Sequence, residues 1–478
     1  MEYIITKREP EALFHRFEDI CAIPHGSGNE AAIADYIESF AHDRGLYVYR
    51  DTNNNVLVRR PASAGYEDHA PVLIQGHIDM VCEAESWNQI DFTKDGLELR
   101  LDGNLLMANG TTLGADDGVA VAIMLALLDE KDLRAPIIEC LFTTEEETGL
   151  TGATEFDYSK LVSHRMINLD TGGEVIIVSC AGGMRTLVTD HAKTSPYSGD
   201  TLTVTVDGLA GGHSGADIHL GLGNANLIAL ELVNASRRVT DARIISMSGG
   251  SKDNAIPSKC SVTFAVKDAK AAERAILGNV ELIRQMLSDA DSGMTVALEH
   301  GKYNGDAPAD DFTERLIGFT NEVPHGVIAM CEEIDMVETS ANYAIINVTP
   351  DGSFGLHLSA RSSVDGKLDT IEKELDTLAQ KYGFKTETGS RYNGWEYEAN
   401  SQMRDAYINA YRETAGRDIP VMGIHAGLEC GIIKRAVPDM DIIATGARTL
   451  GEHTTREALD LDSFELVYKT VRLLCERL

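Results

Sequence analysis

Five short stretches of the 478-residue chain gather acids and histidines among glycines. GHID carries His77 and Asp79, and GADDG carries Asp116 and Asp117. TTEEETG carries Glu145, Glu146 and Glu147, NLDTGG carries Asp170, and GEHTT carries His453. Two imidazoles and several carboxylates, without a thiol, form a donor set for zinc or a similar divalent ion. Five ligand positions are too many for one tetrahedral ion that must keep a water. They suit two ions sharing a bridging carboxylate. In hydrolases of that kind the ions lie about 3.5–4 Å apart and the water between them is a nucleophile at neutral pH. A carboxylate beside that water can take its proton and return it to a leaving amine.

Each stretch alone has a commoner structural meaning. A DDG loop is usually a helix cap or a turn, a run of three Glu is usually a solvated face, and a single late His says little. Their force lies in where the surrounding elements put them. Short apolar runs precede four of the five: PVLIQ (71–75), IIECLF (137–142), RMINL (165–169) and MDIIA (440–444). Helical patterns run over 9–20, with Pro10 in a first turn, over 29–44, closed by Gly45, and over 119–128, with Asp117 at a capping position. Strands alternating with helices predict an α/β sheet covered on both faces. In such open sheets ligands bind at the carboxyl ends of the strands, and there the acids and histidines fall.

The middle of the chain reads differently. TLTVTVDGL (201–209) alternates at period two, as a half-exposed strand does. A helix follows over 224–236, and a similar order recurs with strands in 343–363 and a helix over 367–382. This predicts two α+β units of about one hundred residues each, without a residue-level repeat. After Gly394 the α/β pattern returns, with helices over 402–414 and 463–477, the last with Asp462 as cap. The simplest organisation is one α/β domain built from residues 1–182 and 394–478, with an α+β domain, 183–393, inserted between them.

Composition narrows the function. Apolar residues make up 43% and charged residues 24%, a globular balance that excludes disorder along the whole chain. With 42 Lys+Arg against 75 Asp+Glu the formal charge is −33, unsuited to a nucleic-acid backbone or an anionic membrane. The longest apolar run, 119–128, is about half the length that crosses a bilayer. No apolar stretch of signal-peptide type opens the chain. Eight scattered cysteines without a CxxC pair argue against zinc knuckles and a disulfide framework. A reduced cytoplasmic protein is expected.

In order and wording, QGHIDMV, GTTLGADDGVA, TTEEETGLTGA, NLDTGGE and GEHTTRE resemble the motifs of the dinuclear-zinc M20 peptidases. GGHSGADIHLGLGNAN and HAGLECGIIKR resemble the subfamily of Xaa-His (aminoacyl-histidine) dipeptidases, or bacterial carnosinases. The resemblance extends from PHGSGNE, near Pro24, to the end of the chain. It implies a zinc-peptidase catalytic domain with a mixed sheet, interrupted by a lid and dimerisation domain. His77 and Asp170 would hold the first ion, Glu147 and His453 the second, and Asp116 would bridge them. Asp79 would hydrogen-bond His77 and fix its tautomer. Glu146, the first Glu of Glu-Glu-x-Gly, would be the general base, which leaves Glu145 without a role. The peptide after Asp116 would be cis.

From the inserted domain, His213 would stabilise the oxyanion. Asn254 and Arg361 would bind the substrate's terminal carboxylate and backbone. Gly427 would be a close-approach position in the substrate pocket. His219, His325 and His425 receive no role. Asp rather than Glu at 170 goes with family members that need a free amino end. The expectation is a cytoplasmic metallodipeptidase acting on unblocked dipeptides, Xaa-His and β-alanyl-histidine above all. It would use two divalent ions per subunit, zinc first, with cobalt and manganese also accepted by these ligands, and act as a homodimer with no nucleic-acid or membrane partner. Its rivals are a tripeptide aminopeptidase or an N-acyl amino acid deacylase, and a metal-binding scaffold without catalysis. The complete ligand set together with Glu146 speaks against the scaffold.

Overall fold

The computed structural model describes residues 3–478. The chain divides into two compact units, Met1–Ser179 with Trp395–Gly423 and Leu428–Leu478, and Cys180–Gly394 with Ile424–Gly427. The four-residue return of 424–427 to the second unit is not visible in the sequence pattern.

The first unit is built on an eight-stranded mixed sheet. Its order is Tyr47–Arg50, Val56–Arg60, Ile138–Thr143, Val72–His77, Arg165–Asn168, Asp441–Ala444, Ile176–Cys180 and Val421–Ile424. Strand Val72–His77 runs parallel to both of its neighbours, and Asp441–Ala444 continues the parallel set beside Arg165–Asn168. The strands Val72–His77 and Ile138–Thr143 are buried at every position, as continuous apolar runs demand of central parallel strands. Register decides the rest. His77 pairs with Thr143 and Gln75 with Asn168, so the parallel strands end along one edge. A small antiparallel sheet joins Leu105–Ala108 to Ala458–Asp460 and leads into the two loops that carry Asp116 and His453.

Helix boundaries follow local chemistry. The first helix is Glu11–Cys21, with Pro10 as its N-cap rather than inside its first turn. The helix assigned to Ala115–Asp129 has non-helical backbone at Asp116 and Asp117, and Asp117 Oδ1 accepts the Ala120 N–H at 3.2 Å. Regular helix therefore starts after Asp117, which acts as the expected cap. The peptide between Asp116 and Asp117 is cis. The last helix is Leu461–Arg477, and its cap is Asp460, which accepts the N–H groups of Asp462 and Ser463. Asp462, the cap predicted from sequence, lies inside that helix, and its side chain pairs with Arg8.

The second unit holds a nine-stranded sheet rather than two separate α+β units. Its halves are joined where Ala242–Gly249 pairs antiparallel with Met336–Val348. Helices Ala225–Arg237, Ala269–Met286, Asp310–Glu322 and Asp365–Tyr382 belong to this unit. Its core includes Val204, Leu232, Val262, Phe264, Phe312, Phe319 and Leu356. Among the described residues no helix is long and apolar enough to cross a membrane.

Candidate metal centre

His77 ends its strand and is 1% exposed. Its Nδ1 lies 3.0 Å from the Asp79 carbonyl oxygen and 3.4 Å from Asp79 Oδ1. Asp79 thus presents two acceptors to the ring, its backbone oxygen the nearer and its carboxylate the farther. With the proton on Nδ1, the Nε2 lone pair faces Asp116 Oδ1 at 3.1 Å and Asp170 Oδ1 at 3.9 Å. The other oxygen of Asp116, Oδ2, lies 3.1 Å from His453 Nε2. Glu147 Oε1 lies 2.8 Å from that same Nε2. His77, Asp116 and Asp170 form one group able to hold a cation, and Asp116, Glu147 and His453 form another, with all ligand atoms in each within 4.8 Å. A third grouping joins His77 to Glu146 and Glu147.

The residues fit divalent cations on grounds internal to the structure. Glu147 Oε1 is buried and has no hydrogen-bond partner, although His453 Nε2 lies 2.8 Å from it. Two acceptor atoms aimed at common space are what a ligand pair looks like, and imidazole plus carboxylate is the donor chemistry of zinc, cobalt and manganese. Without cations the charges conflict. Burial, then the neighbouring carboxylates Glu429, Glu147 and Asp116, push Glu146 up to about 8. Burial, then Asp116, raises Asp170 well above the carboxylate range. The adjacent carboxylates of Asp116 and then Glu147 push His453 up to about 10. Burial opposes the ionisation of Asp116, but its two histidine partners overcome it and hold its carboxyl far below the usual range. A cation and a proton compete for these lone pairs.

Asp79 organises the turn behind the ligands. Its carboxylate accepts the Ser27 hydroxyl at 2.8 Å and the N–H groups of Glu146 at 3.1 Å and Glu147 at 3.3 Å. Glu145, with φ of 50°, belongs to none of the three cation groups.

Sequence reasoning passed over a polar seam beneath these residues. Asn168 Nδ2 donates to Gln75 Oε1 at 2.8 Å, and Gln75 Nε2 donates to Thr143 Oγ1 and to Glu429. Asn168 Oδ1 in turn accepts the Asp170 N–H at 3.2 Å. All four side chains are buried. The available signal was a polar residue inside each apolar run, Gln in PVLIQ and Asn in RMINL, at directly paired positions.

The remaining sequence-predicted residues lie in the second unit. His213 pairs with Ala255 in a two-stranded ribbon. Its Nδ1 accepts the N–H groups of Gly215 at 3.2 Å and Ala216 at 3.0 Å. The proton of the neutral ring is therefore on Nε2, a donor free to act outward. Burial first, and Arg361 second, lower the His213 pKa. Arg361 Nη1 donates to Tyr392 Oη at 2.9 Å, its Nε is buried without a partner, and no acid pairs with it among the described residues. Asn254, Arg361 and Tyr392 line one small cavity of about 30 Å³. A Cβ on Gly427 would stand 2.8 Å from the Tyr392 ring, so only glycine packs there without displacement. His425, unassigned from sequence, is 8% exposed, with Nε2 at 2.7 Å from Ser340 Oγ.

A histidine at a strand end of the mixed sheet, a second on a loop and an aspartate facing both, in a unit interrupted by an antiparallel α+β unit, define a metal-dependent hydrolase. The sequence pattern of Peptidase family M20/M25/M40 matches residues 73–477, and the chain belongs to that family as a metallopeptidase. It is 34% identical over 465 residues to the cytosol non-specific dipeptidase of Escherichia coli strain K12, covering 96% of each chain. It superposes on the aminoacylhistidine dipeptidase of Vibrio alginolyticus with a TM-score of 0.94 at 32% identity, covering 98% of this chain and 97% of that one. The aminopeptidase PepT of Bacillus cereus shares the fold at a TM-score of 0.56 and 16% identity, with 98% of each chain covered.

Proposed function

We propose that this metallopeptidase is a cytoplasmic dipeptidase that cleaves unblocked dipeptides, with Xaa-His dipeptides such as β-alanyl-histidine among its preferred substrates. The observation that carries the dinuclear part is Asp116, with one carboxylate oxygen at each histidine. The dipeptide part is supported by the two full-length relatives, both named as dipeptidases. Cytoplasmic placement is supported by the word cytosol in one of those names and by Cys21, Cys140, Cys260 and Cys475, buried thiols in no disulfide. A homodimer is the expected assembly.

His77 and Asp170 would hold one ion, Glu147 and His453 the other, and Asp116 both, with zinc the first candidate. Bound ions would supply Lewis acidity and a nucleophilic water at neutral pH. Glu146 then takes the proton of the attacking water at its carboxylate and delivers it to the departing amine nitrogen. Asp79 holds the backbone of Glu146 and Glu147 so that both side chains keep their aim. His213 donates from Nε2 to the carbonyl oxygen as it gains charge. Arg361 and Asn254 take the far carboxylate, the arginine through a fork that matches it, and so measure substrate length. Asp170 and its neighbours form an acidic surround that favours a free ammonium.

The test is metal-free protein reconstituted with zinc, cobalt or manganese and offered a panel of substrates. Unblocked dipeptides should turn over, with His favoured in the second position. Their N-acetylated forms and matched tetrapeptides should not. Equal turnover of tetrapeptides would remove the length-measuring arginine. Cleavage of acetylated substrates in preference would make the protein a deacylase, and no hydrolysis with any metal would leave a scaffold.

A further inference from the structure

Glu457 is 2% exposed and holds a position no role above explains. Its carboxylate accepts four consecutive backbone N–H groups from a loop more than three hundred residues earlier in the chain. Oε2 takes Leu113 at 2.7 Å and Gly114 at 3.1 Å, and Oε1 takes Ala115 at 2.8 Å and, more weakly, Asp116 at 3.4 Å. Successive N–H groups converge on one anion where the backbone turns through a left-handed position, and Gly114 supplies one with φ of 68°. The result fixes the backbone from which the Asp116 side chain springs.

The other end of Glu457 is tied to His453. Thr454 N–H donates to Gly451 O, Arg456 N–H to Thr454 Oγ1 at 3.2 Å, and Glu457 N–H to Thr454 O at 3.0 Å. This closed turn holds His453 at φ of 60°, a conformation a histidine rarely adopts unsupported. Strand Ala458–Asp460, pairing with Leu105–Ala108, then anchors the turn beside the 109–116 loop. One carboxylate thus joins the loop of the aspartate shared by both groups to the loop of the histidine that faces it.

On the footing of the dinuclear function above, we propose that Glu457 is a positioning residue that sets the spacing of Asp116 and His453 and so governs occupancy of the ion they share. It touches neither substrate nor ion. Gln in its place keeps the shape but turns an NH₂ toward one pair of N–H donors, whichever way the amide lies. Asp keeps the charge but is one methylene short of spanning both pairs.

The experiment is calorimetric titration of zinc into the metal-free full chain, with metal content and dipeptide kinetics measured in parallel. Wild type should bind two equivalents. E457Q should bind one equivalent normally and the other about 10–100-fold more weakly, the range for losing a group that orients a ligand. Its kcat at limiting zinc should fall and recover as zinc is raised, with KM for the dipeptide unchanged. A general loss of structure would not be rescued by metal. E457D should fall between the two, and it carries the test if E457Q does not fold. Wild-type zinc affinity at both equivalents with wild-type kcat at limiting zinc, in whichever folded variant is measured, overturns the role of Glu457. A wild-type chain that binds no zinc overturns the dinuclear function itself, and this role with it.

Discussion

His453 Nε2 and Asp116 Oδ2 stand 3.1 Å apart although 337 residues separate them in the chain. The opposite oxygen of Asp116 stands at the same distance from His77 Nε2. A carboxylate that faces a different imidazole from each oxygen has little use as a salt bridge in a buried site, where desolvation offsets most of the attraction. It has an evident use as a bridge between two cations. Everything in the first unit converges on that arrangement: the parallel register ends His77 and Thr143 together, and the small antiparallel sheet delivers the other two loops.

Glu146→Gln should separate chemistry from binding. Glu146 hangs on backbone held by Asp79, and the change from carboxylate to amide alters neither that anchor nor the size of the side chain. Zinc stoichiometry and KM should stay near wild type while kcat falls by about 10²–10⁴, the span attributed to general acid–base catalysis. Steady-state kinetics on the zinc-loaded variant reads this directly. A kcat within a factor of two of wild type would remove Glu146 as the base.

Chelation should destabilise the first unit. Ions that bind only the folded state stabilise it by mass action, about 4 kcal/mol when free metal is a thousand times its dissociation constant. Their removal leaves Asp116, Glu146, Glu147 and Asp170 crowded in a buried space with no cation to offset their charge, where burial and the neighbouring acids push Glu146 and Asp170 toward holding protons. Differential scanning calorimetry of the chelated protein should show a lower melting temperature, restored by adding zinc. An unchanged melting temperature would mean that the centre binds no metal tightly.

Arg361→Met should act on substrates only through their carboxylate. Its guanidinium is steadied by Tyr392 Oη at 2.9 Å and has no acid partner of its own among the described residues. Loss of a charged hydrogen bond is worth about 1.5–3 kcal/mol. KM for an unblocked dipeptide should therefore rise about tenfold or more, while a C-terminal dipeptide amide, poor for wild type, should be affected little. Kinetics on the matched acid and amide decide it, and equal losses on both would move Arg361 away from the carboxylate.

Much of this was legible because parallel strands announce themselves. A buried run such as IIECLF ends where acids begin, so the strand ends and the residues on them are read together. What escaped the sequence depends on partners far along the chain. Glu457 accepts only backbone N–H groups, which leave no mark in the residue types of 113–116. The sheet of the second unit is continuous because Ala242–Gly249 meets Met336–Val348, a pairing that local alternation does not specify. Asp460 displaced Asp462 as the last helix's cap because strand Ala458–Asp460 places it at the helix entry. The tautomer of His213 was hidden for the same reason as Glu457, since two backbone N–H groups set it.

His425 should make the second unit sensitive to acid. It is buried, its Nε2 lies 2.7 Å from Ser340 Oγ, and Arg361, His213 and His219 are the charged or chargeable groups that disfavour its protonation. Burial first and Arg361 second push its pKa down to about 4, against about 6.5 in an unfolded chain. Between those values the unfolded chain binds the extra proton and the folded one does not, so stability rises with pH across the window and is lost as pH falls from 6.5 toward 4. The loss attributable to this one ring is on the order of 3 kcal/mol. Gln in its place offers a side-chain group near Nε2 and carries no titrating proton. Melting temperatures measured at pH 4.5 and 6.5 should therefore differ more in wild type than in His425→Gln. Equal differences would mean that the ring is already protonated in the folded protein.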